Sequence, residues 1–556
     1  MLRVPYRSNF LILFNLLLFA LVNAAHADET NVKKPNIVLI LADDVGTGDI
    51  PRYWDSSVVD MPNLDRLSDM GVTFKDAHST PLCAPSRYML LSGNYAHRGK
   101  NPNGSWNFAN NRNQFMDTQK SIAEVLRDDG YHTSMFGKWH LGAKAPPNGV
   151  VKFENMATLL TNPALDWSLP LIQGPEDIGF ETSYITAEGI QGPPYSFFRD
   201  GYLTTNVTNS SSIKYWDKGS YSMTHGMSKI GKHPGDGDDD WDSSAFNMIV
   251  VNETSKFIDK HMEETPSQPF FTYVALGAVH IPHSPPYHYL DGSRVRKEYP
   301  TRHLDMLLEV DKVVGSLVAM IDDRQLADDT IIIFASDNGG LQTKSQRTGH
   351  RMSGPLKGEK GSIYEGGHRV PLIMRYDNHF PANKTNEEMV GLNDIYATIC
   401  ELVGVGVPEL SAQDSISFAD YLDINNEGAS GGRTQISTWA LKQNRVTNEA
   451  IRFGSMKLIR NAIDSTYELY DLATDISEMN DLSGYEVYAD MINHMKTKLK
   501  ADGPCPDDNE GQQSIKGLNQ PKGCGWFRKN VNRCKRHLEG ELNCYSVCGR
   551  NHKFCK

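Results

Sequence analysis

Cys83 stands two residues before Pro85 and four before Arg87, in the stretch Leu82-Cys83-Ala84-Pro85-Ser86-Arg87-Tyr88-Met89-Leu90-Leu91-Ser92-Gly93. Proline has no N–H and a fixed φ, so Pro85 suits the first turn of a helix, and Gly93 suits its end. Cys83 then lies at a helix N-terminus, where unpaired N–H groups and the dipole favour an anion. That position suits an anionic group. It suits a buried or disulfide-bonded cysteine equally well. Asp43-Asp44 is a second candidate, because adjacent buried carboxylates repel unless a cation sits between them. Asp337-Asn338-Gly339-Gly340 adds a carboxylate and an amide oxygen. Oxygen donors of this kind suit a hard cation, Ca²⁺ or Mg²⁺, although either pair alone also suits a turn or a cap. Lys138 and His140 are two apart, so on an extended segment they face one side. A fixed cation beside a titratable imidazole suits an anionic ester. A core strand with a snorkelling lysine is the other reading of that pair.

These residues need a scaffold, and the apolar runs supply one. Asn36–Ala42, Phe270–Leu276 and Thr330–Ala335 are nearly continuous apolar runs, as expected of strands buried on both faces. Helical patterns lie between them, including Ser121–Asp129 and His303–Asp322. The alternation predicts an α/β fold, a large and mostly parallel sheet sandwiched by helices. Ligands of such sheets bind at the carboxyl ends of strands. Asp43-Asp44, His280 and Asp337-Asn338 each follow one of the predicted strands.

The Cys83 stretch resembles the signature of the formylglycine-dependent, type I sulfatases, Cys-x-Pro-Ser-Arg followed by Leu-Ser/Thr-Gly. Three further segments carry the resemblance. Gly130-Tyr131-His132-Thr133 through Gly137-Lys138-Trp139-His140-Leu141-Gly142 is similar to the family's second motif. His280, Pro282 and Pro285 match a histidine–proline segment, with His283 as an alternative to His280. Leu356–Gly367 is similar to the family's Gly-Lys-Gly…Glu-Gly-Gly block, although Glu359 stands where many relatives carry a small or neutral residue. Tyr467–Leu472 and Glu478–Leu482 resemble the family's C-terminal strand and turn.

The resemblance covers roughly Lys34 to Lys500 and implies an arylsulfatase-like enzyme with an alkaline-phosphatase-like fold. It implies a catalytic domain over 34–410 and a C-terminal α+β subdomain with a small antiparallel sheet over 411–500, and the tail over 501–556 lies outside it. A maturation enzyme would oxidise Cys83 to formylglycine, whose hydrate is the nucleophile. Calcium would be held by Asp43, Asp44, Asp337 and Asn338, with modified Cys83 as a further ligand. Arg87, Lys138 and Lys360 would hold the sulfate charge. His280 would protonate the leaving group, and His140 would take the proton of the second hydroxyl. Glu365 reads as a structural salt bridge. The implied substrate is a sulfate monoester, of an aryl alcohol or a glycan. A phosphonate or phosphate monoester hydrolase is the nearest alternative, and a non-catalytic binder of sulfated glycans is another.

The compartment is read from the ends of the chain. Arg3 and Arg7, an apolar run over Phe10–Val22 and Ala25-His26-Ala27 form a secretory leader over residues 1–27. Secretion or delivery to the lysosome is therefore expected. No later segment is apolar enough to span a membrane. Sequons at Asn103, Asn206, Asn209, Asn252 and Asn383 are then candidate glycan sites on surface loops. Cys505, Cys524, Cys534, Cys544, Cys548 and Cys555 crowd into the tail and read as a disulfide-stapled module, with zinc binding as the rival. A net charge of −12 argues against general nucleic-acid binding.

Overall fold

The computed structural model describes residues 33–502, apart from 101–105, 107–112, 148–156, 218–220, 223–227, 230–232, 427–431 and 443–444. The leader, the six tail cysteines and Asn103 lie outside the described residues.

The first strand, β1 (Asn36–Ala42), is buried along its whole length because both of its faces are covered. Ile37, Leu39 and Leu41 enter one apolar layer, and Val38, Ile40 and Ala42 enter the other. The other long strands of this sheet are β2 (Val72–His78), β3 (His132–Lys138), β4 (Thr182–Thr186), β5 (Phe270–Ala275), β6 (Thr330–Ser336), β7 (Arg369–Arg375) and β8 (Lys384–Gly391). They lie in the order β8-β2-β7-β6-β1-β5-β3-β4, followed by two short edge strands at 198–199 and 202–203. The run β6-β1-β5-β3-β4 is parallel throughout, and β7 is antiparallel to both of its neighbours. The sheet is therefore mixed and mostly parallel, as the apolar runs predict.

Helices cover both faces. One layer holds α1 (Pro62–Asp69), α4 (Phe246–Glu264) and α5 (Arg302–Asp323). The other holds α2 (Cys83–Ser92), α3 (Ile122–Asp128) and α7 (Asp394–Leu402). A four-residue helix, α6 (Glu365–His368), leads directly into β7. A separate antiparallel sheet, β9 (Gln435–Lys442), β10 (Arg445–Phe453), β11 (Met456–Asn461) and β12 (Tyr467–Asp471), packs with the C-terminal helix α8 (Ala489–Asp502). No helix among the described residues is long and apolar enough to cross a membrane.

A buried ionic network joins this second sheet to β2 and α6. Lys457 on β11 binds Glu365 at 2.9 Å and Glu478 at 2.8 Å. Arg369 and Arg452 both bind Asp76, at 2.6 and 2.7 Å, and Arg369 also binds Glu365. Glu365 is thus the salt-bridge residue that the sequence suggests. Lys457 Nζ donates to His368 Nε2 at 3.2 Å, which leaves His368 Nδ1–H to donate to His78 Nδ1 at 3.1 Å. His78 Nε2–H then donates to Asp76 at 2.8 Å. The facing Nδ1 atoms cannot both carry a proton, so the two imidazoles are not both charged. Burial pushes both below the usual histidine range, against the pull of Asp76 on His78 and of Glu365 on His368. A histidine whose folded pKa is depressed contributes stability above its unfolded pKa and loses it as pH falls. The melting temperature is therefore expected to drop as pH falls below about 6.5, before the carboxylates titrate. His368→Gln should make that limb shallower in a thermal-melt series, since one of the depressed imidazoles is gone, at the cost of a lower melting temperature at neutral pH.

One sequon departs from its loop expectation. Asn252 lies within α4, and the Thr254 hydroxyl of the same sequon is buried and donates to Val250 O at 2.8 Å. Asn206, Asn209 and Asn383 are exposed and lie outside the regular elements.

Candidate active site

The carboxyl ends of the five parallel strands converge on one buried cluster. Asp43 and Asp44 follow β1, with Asp44 in the left-handed region at φ 66°. Asp337 and Asn338 follow β6, His280 follows β5, and Lys138 closes β3. Cys83 is the first residue of α2, preceded by the extended residue Leu82, and Gly93 ends the helix at φ 66°. Arg87 is four residues on, so it projects from the same face as Cys83.

Three cations meet three carboxylates. Arg87 donates to Asp337 Oδ2 through Nε at 3.2 Å and Nη2 at 2.7 Å, and through Nη1 to Lys138 O at 3.1 Å. Lys138 Nζ donates to Asp43 Oδ2 at 2.6 Å and to Gln191 Oε1 at 2.7 Å. Lys360 Nζ donates to Asp44 Oδ1 at 2.5 Å. Burial opposes ionisation of Asp43, but Lys138, His280, Arg87 and Lys360 together hold its carboxyl well below the usual range. Burial and the neighbouring Asp43 charge push Asp337 the other way, against Arg87. The three side-chain cations match the three carboxylates in formal charge, yet Asp337 is still pushed upward beside Asp43.

The leftover acceptors mark where further positive charge fits. Asp43 Oδ1, Asp44 Oδ2 and Asn338 Oδ1 are buried and have no hydrogen-bond partner. Asp337 Oδ1 accepts only from the Asp44 backbone N–H, at 3.2 Å. Asp43, Cys83 and Asp337 lie within metal-sharing reach of one another, as do Asp43, Asp44 and His280. Buried orphan oxygens are costly. An all-oxygen set of carboxylates and an amide is the donor chemistry of a hard cation such as calcium.

Two imidazoles flank the cluster. His140 Nδ1 is 3.3 Å from Cys83 Sγ, and its Nε2 is 3.4 Å from Glu188 Oε2. His280 donates from Nδ1 to Ile281 O at 2.7 Å, which leaves Nε2 free of a proton and 3.8 Å from Asp44 Oδ2. Burial first, then Lys360, depresses His280 to about 3. Burial likewise takes His140 to about 3, opposed by Glu188. His283 packs edge-on against His303, with ring centres 5.2 Å apart.

The structure brings every predicted catalytic and metal residue into this cluster. One premise fails. Lys138 and His140 do not sit on one extended segment, because β3 ends at Lys138 and His140 adopts φ 53°. Both side chains reach the site by different routes. Glu188 and Gln191 were not predicted. They follow β4, whose sequence Thr-Ser-Tyr-Ile-Thr is too short and polar to stand out as a buried strand. Glu359 has a local role, accepting from the Gln342 backbone N–H at 2.7 Å.

A buried cysteine at a helix start, ringed by cations and orphan oxygens at the carboxyl edge of the parallel strands, is an arrangement suited to an anionic ligand. The Sulfatase family model matches residues 35–175 and 194–405, and the chain belongs to that family of sulfuric ester hydrolases, the type I sulfatases. A second model, N-sulphoglucosamine sulphohydrolase, C-terminal, matches residues 358–503. An N-acetylgalactosamine-6-O-sulfatase of Bacteroides thetaiotaomicron is 28% identical over 82% of this chain and 90% of its own length. Arylsulfatase G of Rattus norvegicus is also 28% identical, over 74% of this chain and 72% of its own. A solved B. thetaiotaomicron structure, described under metabolism of multiple glycosaminoglycans, superposes with a TM-score of 0.70 at 26% identity. It covers 84% of this chain and 99% of its own. The sandwich is accordingly alkaline-phosphatase-like.

Proposed function

We propose that this protein hydrolyses sulfate monoesters through a formylglycine made from Cys83 by a maturation enzyme, with calcium among Asp43, Asp44, Asp337, Asn338 and residue 83. The observation that carries the proposal is the position of Cys83. It starts α2, touches His140, and lies within reach of Asp43 and Asp337. Sulfate esters resist attack because negative oxygens shield the sulfur, so the site must neutralise them and hold a strong nucleophile. Arg87, Lys138 and Lys360 supply fixed positive charge. Calcium held by Asp43, Asp44, Asp337 and Asn338 would supply positive charge that makes the residue-83 hydroxyl more acidic. The anionic ester offsets Lys360 beside His280, so the imidazole can carry a proton on Nε2 and deliver it to the leaving alcohol oxygen. His140 Nδ1 faces residue 83 and takes the proton of its second hydroxyl.

The relatives' names favour a sulfated sugar as the alcohol, and an aryl sulfate as a convenient reporter. The same reading includes entry to the secretory pathway through the leader at 1–27, glycans at exposed sequons and disulfides in the tail. It also includes division into a catalytic domain over 34–410 and a C-terminal subdomain over 411–500. Matched aryl sulfate and aryl phosphate esters test the reaction class. Matured enzyme is expected to turn over the sulfate with the higher kcat/KM. A higher value for the phosphate would replace this proposal with a phosphate monoester hydrolase.

A further inference from the structure

The segment after β4 wraps the two residues that follow β3. Trp139 N–H donates to Thr186 O and His140 N–H to Ala187 O, each at 3.0 Å. These two hydrogen bonds tie the turn after β3 to the end of β4 and set Glu188 beside His140. Gly189 sits at φ 73°, and a Cβ there would lie 2.8 Å from Lys138 Cδ, so the chain turns tightly over the lysine stem. Gln191 then reaches Lys138 Nζ at 2.7 Å. Glu188 and His140 are both buried, 5% exposed each.

Glu188 Oε2 lies 3.4 Å from His140 Nε2 on the ring edge opposite Cys83. A carboxylate there favours the tautomer with its proton on Nε2, which leaves the Nδ1 lone pair facing residue 83. A base held by a third group is the arrangement that activates nucleophiles in unrelated hydrolases.

We infer that Glu188 is a positioning residue: it orients His140 so that Nδ1 faces residue 83 when the second hydroxyl gives up its proton. The inference rests on the formylglycine reading above. In that step the sulfated diol carbon of residue 83 carries one free hydroxyl. The O–H proton passes to His140 Nδ1, and its electron pair becomes the second C=O bond. The C–O bond to sulfate breaks, and that pair leaves with sulfate. No oxidant or second reactant is needed.

The test uses the full-length matured enzyme with 4-nitrophenyl sulfate as probe. Glu188→Gln removes the charge and Glu188→Ala removes the carboxyl group. Expected losses in kcat are roughly tenfold and about 100-fold, with KM little changed. Nitrophenol should appear in a burst, and the residue-83 peptide of quenched enzyme should carry one SO₃ group. A double-mutant cycle supplies a readout that a merely structural role would not move. In a His140→Ala background, Glu188→Gln should cost nothing further. Fully additive losses, or an absent burst with no sulfated peptide, would overturn the inference. Should Glu188→Gln not fold, Glu188→Asp keeps the charge with a shorter reach. Sulfated residue 83 during its turnover supports the inference, and an unmodified peptide at the parent rate overturns it. Failure of the underlying reading looks different: the parent enzyme itself would then lack formylglycine or release no sulfate.

Discussion

Cys83→Ser will lose at least about a thousandfold in multiple-turnover sulfate release while keeping its fold. Serine is close to cysteine in size, and the side chain at position 83 starts a helix without capping it. A structural cysteine would therefore tolerate the change. Matured residue 83 offers two hydroxyls on one carbon, and serine offers one. That hydroxyl can attack sulfur, with Arg87, Lys138 and Lys360 still in place, and form a sulfate ester on the protein. It cannot collapse to an aldehyde, so release would need outside attack on a shielded sulfur. A slow, stable sulfated variant is expected on incubation with substrate. Circular dichroism and a thermal melt matching the parent separate lost chemistry from lost structure. Sulfate release by folded Cys83→Ser near the parent rate would contradict the mechanism.

The second large effect is at the carboxylate cluster. Asp337→Asn keeps the side-chain volume but removes the charge that Arg87 binds at 2.7 Å. It also weakens an oxygen set in which Asp43, Asp44 and Asn338 already present unpartnered atoms. Calcium affinity, measured by calorimetry, and turnover should fall together, each by about a hundredfold or more. Arg87 is fully buried, so a lower melting temperature is expected as well. Chelation of the parent enzyme should abolish activity, and added calcium should restore it. A variant with full activity and no bound metal would remove calcium from the account.

The sequence is most explicit where burial is most complete. β1, β5 and β6 lie in the middle of the sheet and must be apolar on both faces, so their runs and the residues after them stand out. That made Asp43, Asp44, His280, Asp337 and Asn338 legible as strand-end residues. β2 and β8 are harder to read, since Val-Thr-Phe-Lys-Asp-Ala-His and Lys-Thr-Asn-Glu-Glu-Met-Val-Gly carry charge into the sheet. Asp76 and His78 tolerate burial only because Arg369, Arg452 and His368 arrive from distant segments. No local pattern encodes that. β4 is short and polar, so the loop that brings Glu188 and Gln191 to the site stays hidden with it. The spacing of Lys138 and His140 points to a shared site through strand alternation. The structure joins them instead through the left-handed turn at His140 and the backbone hydrogen bonds to Thr186 and Ala187.

The most direct test of the central claim is a peptide mass spectrum covering residue 83, taken from protein that releases sulfate from an aryl sulfate. The account predicts formylglycine at that position, the cysteine sulfur and two hydrogens replaced by an aldehyde oxygen, with activity proportional to the converted fraction across preparations. Active protein whose residue 83 is an unmodified thiol, or half of a disulfide, would contradict it.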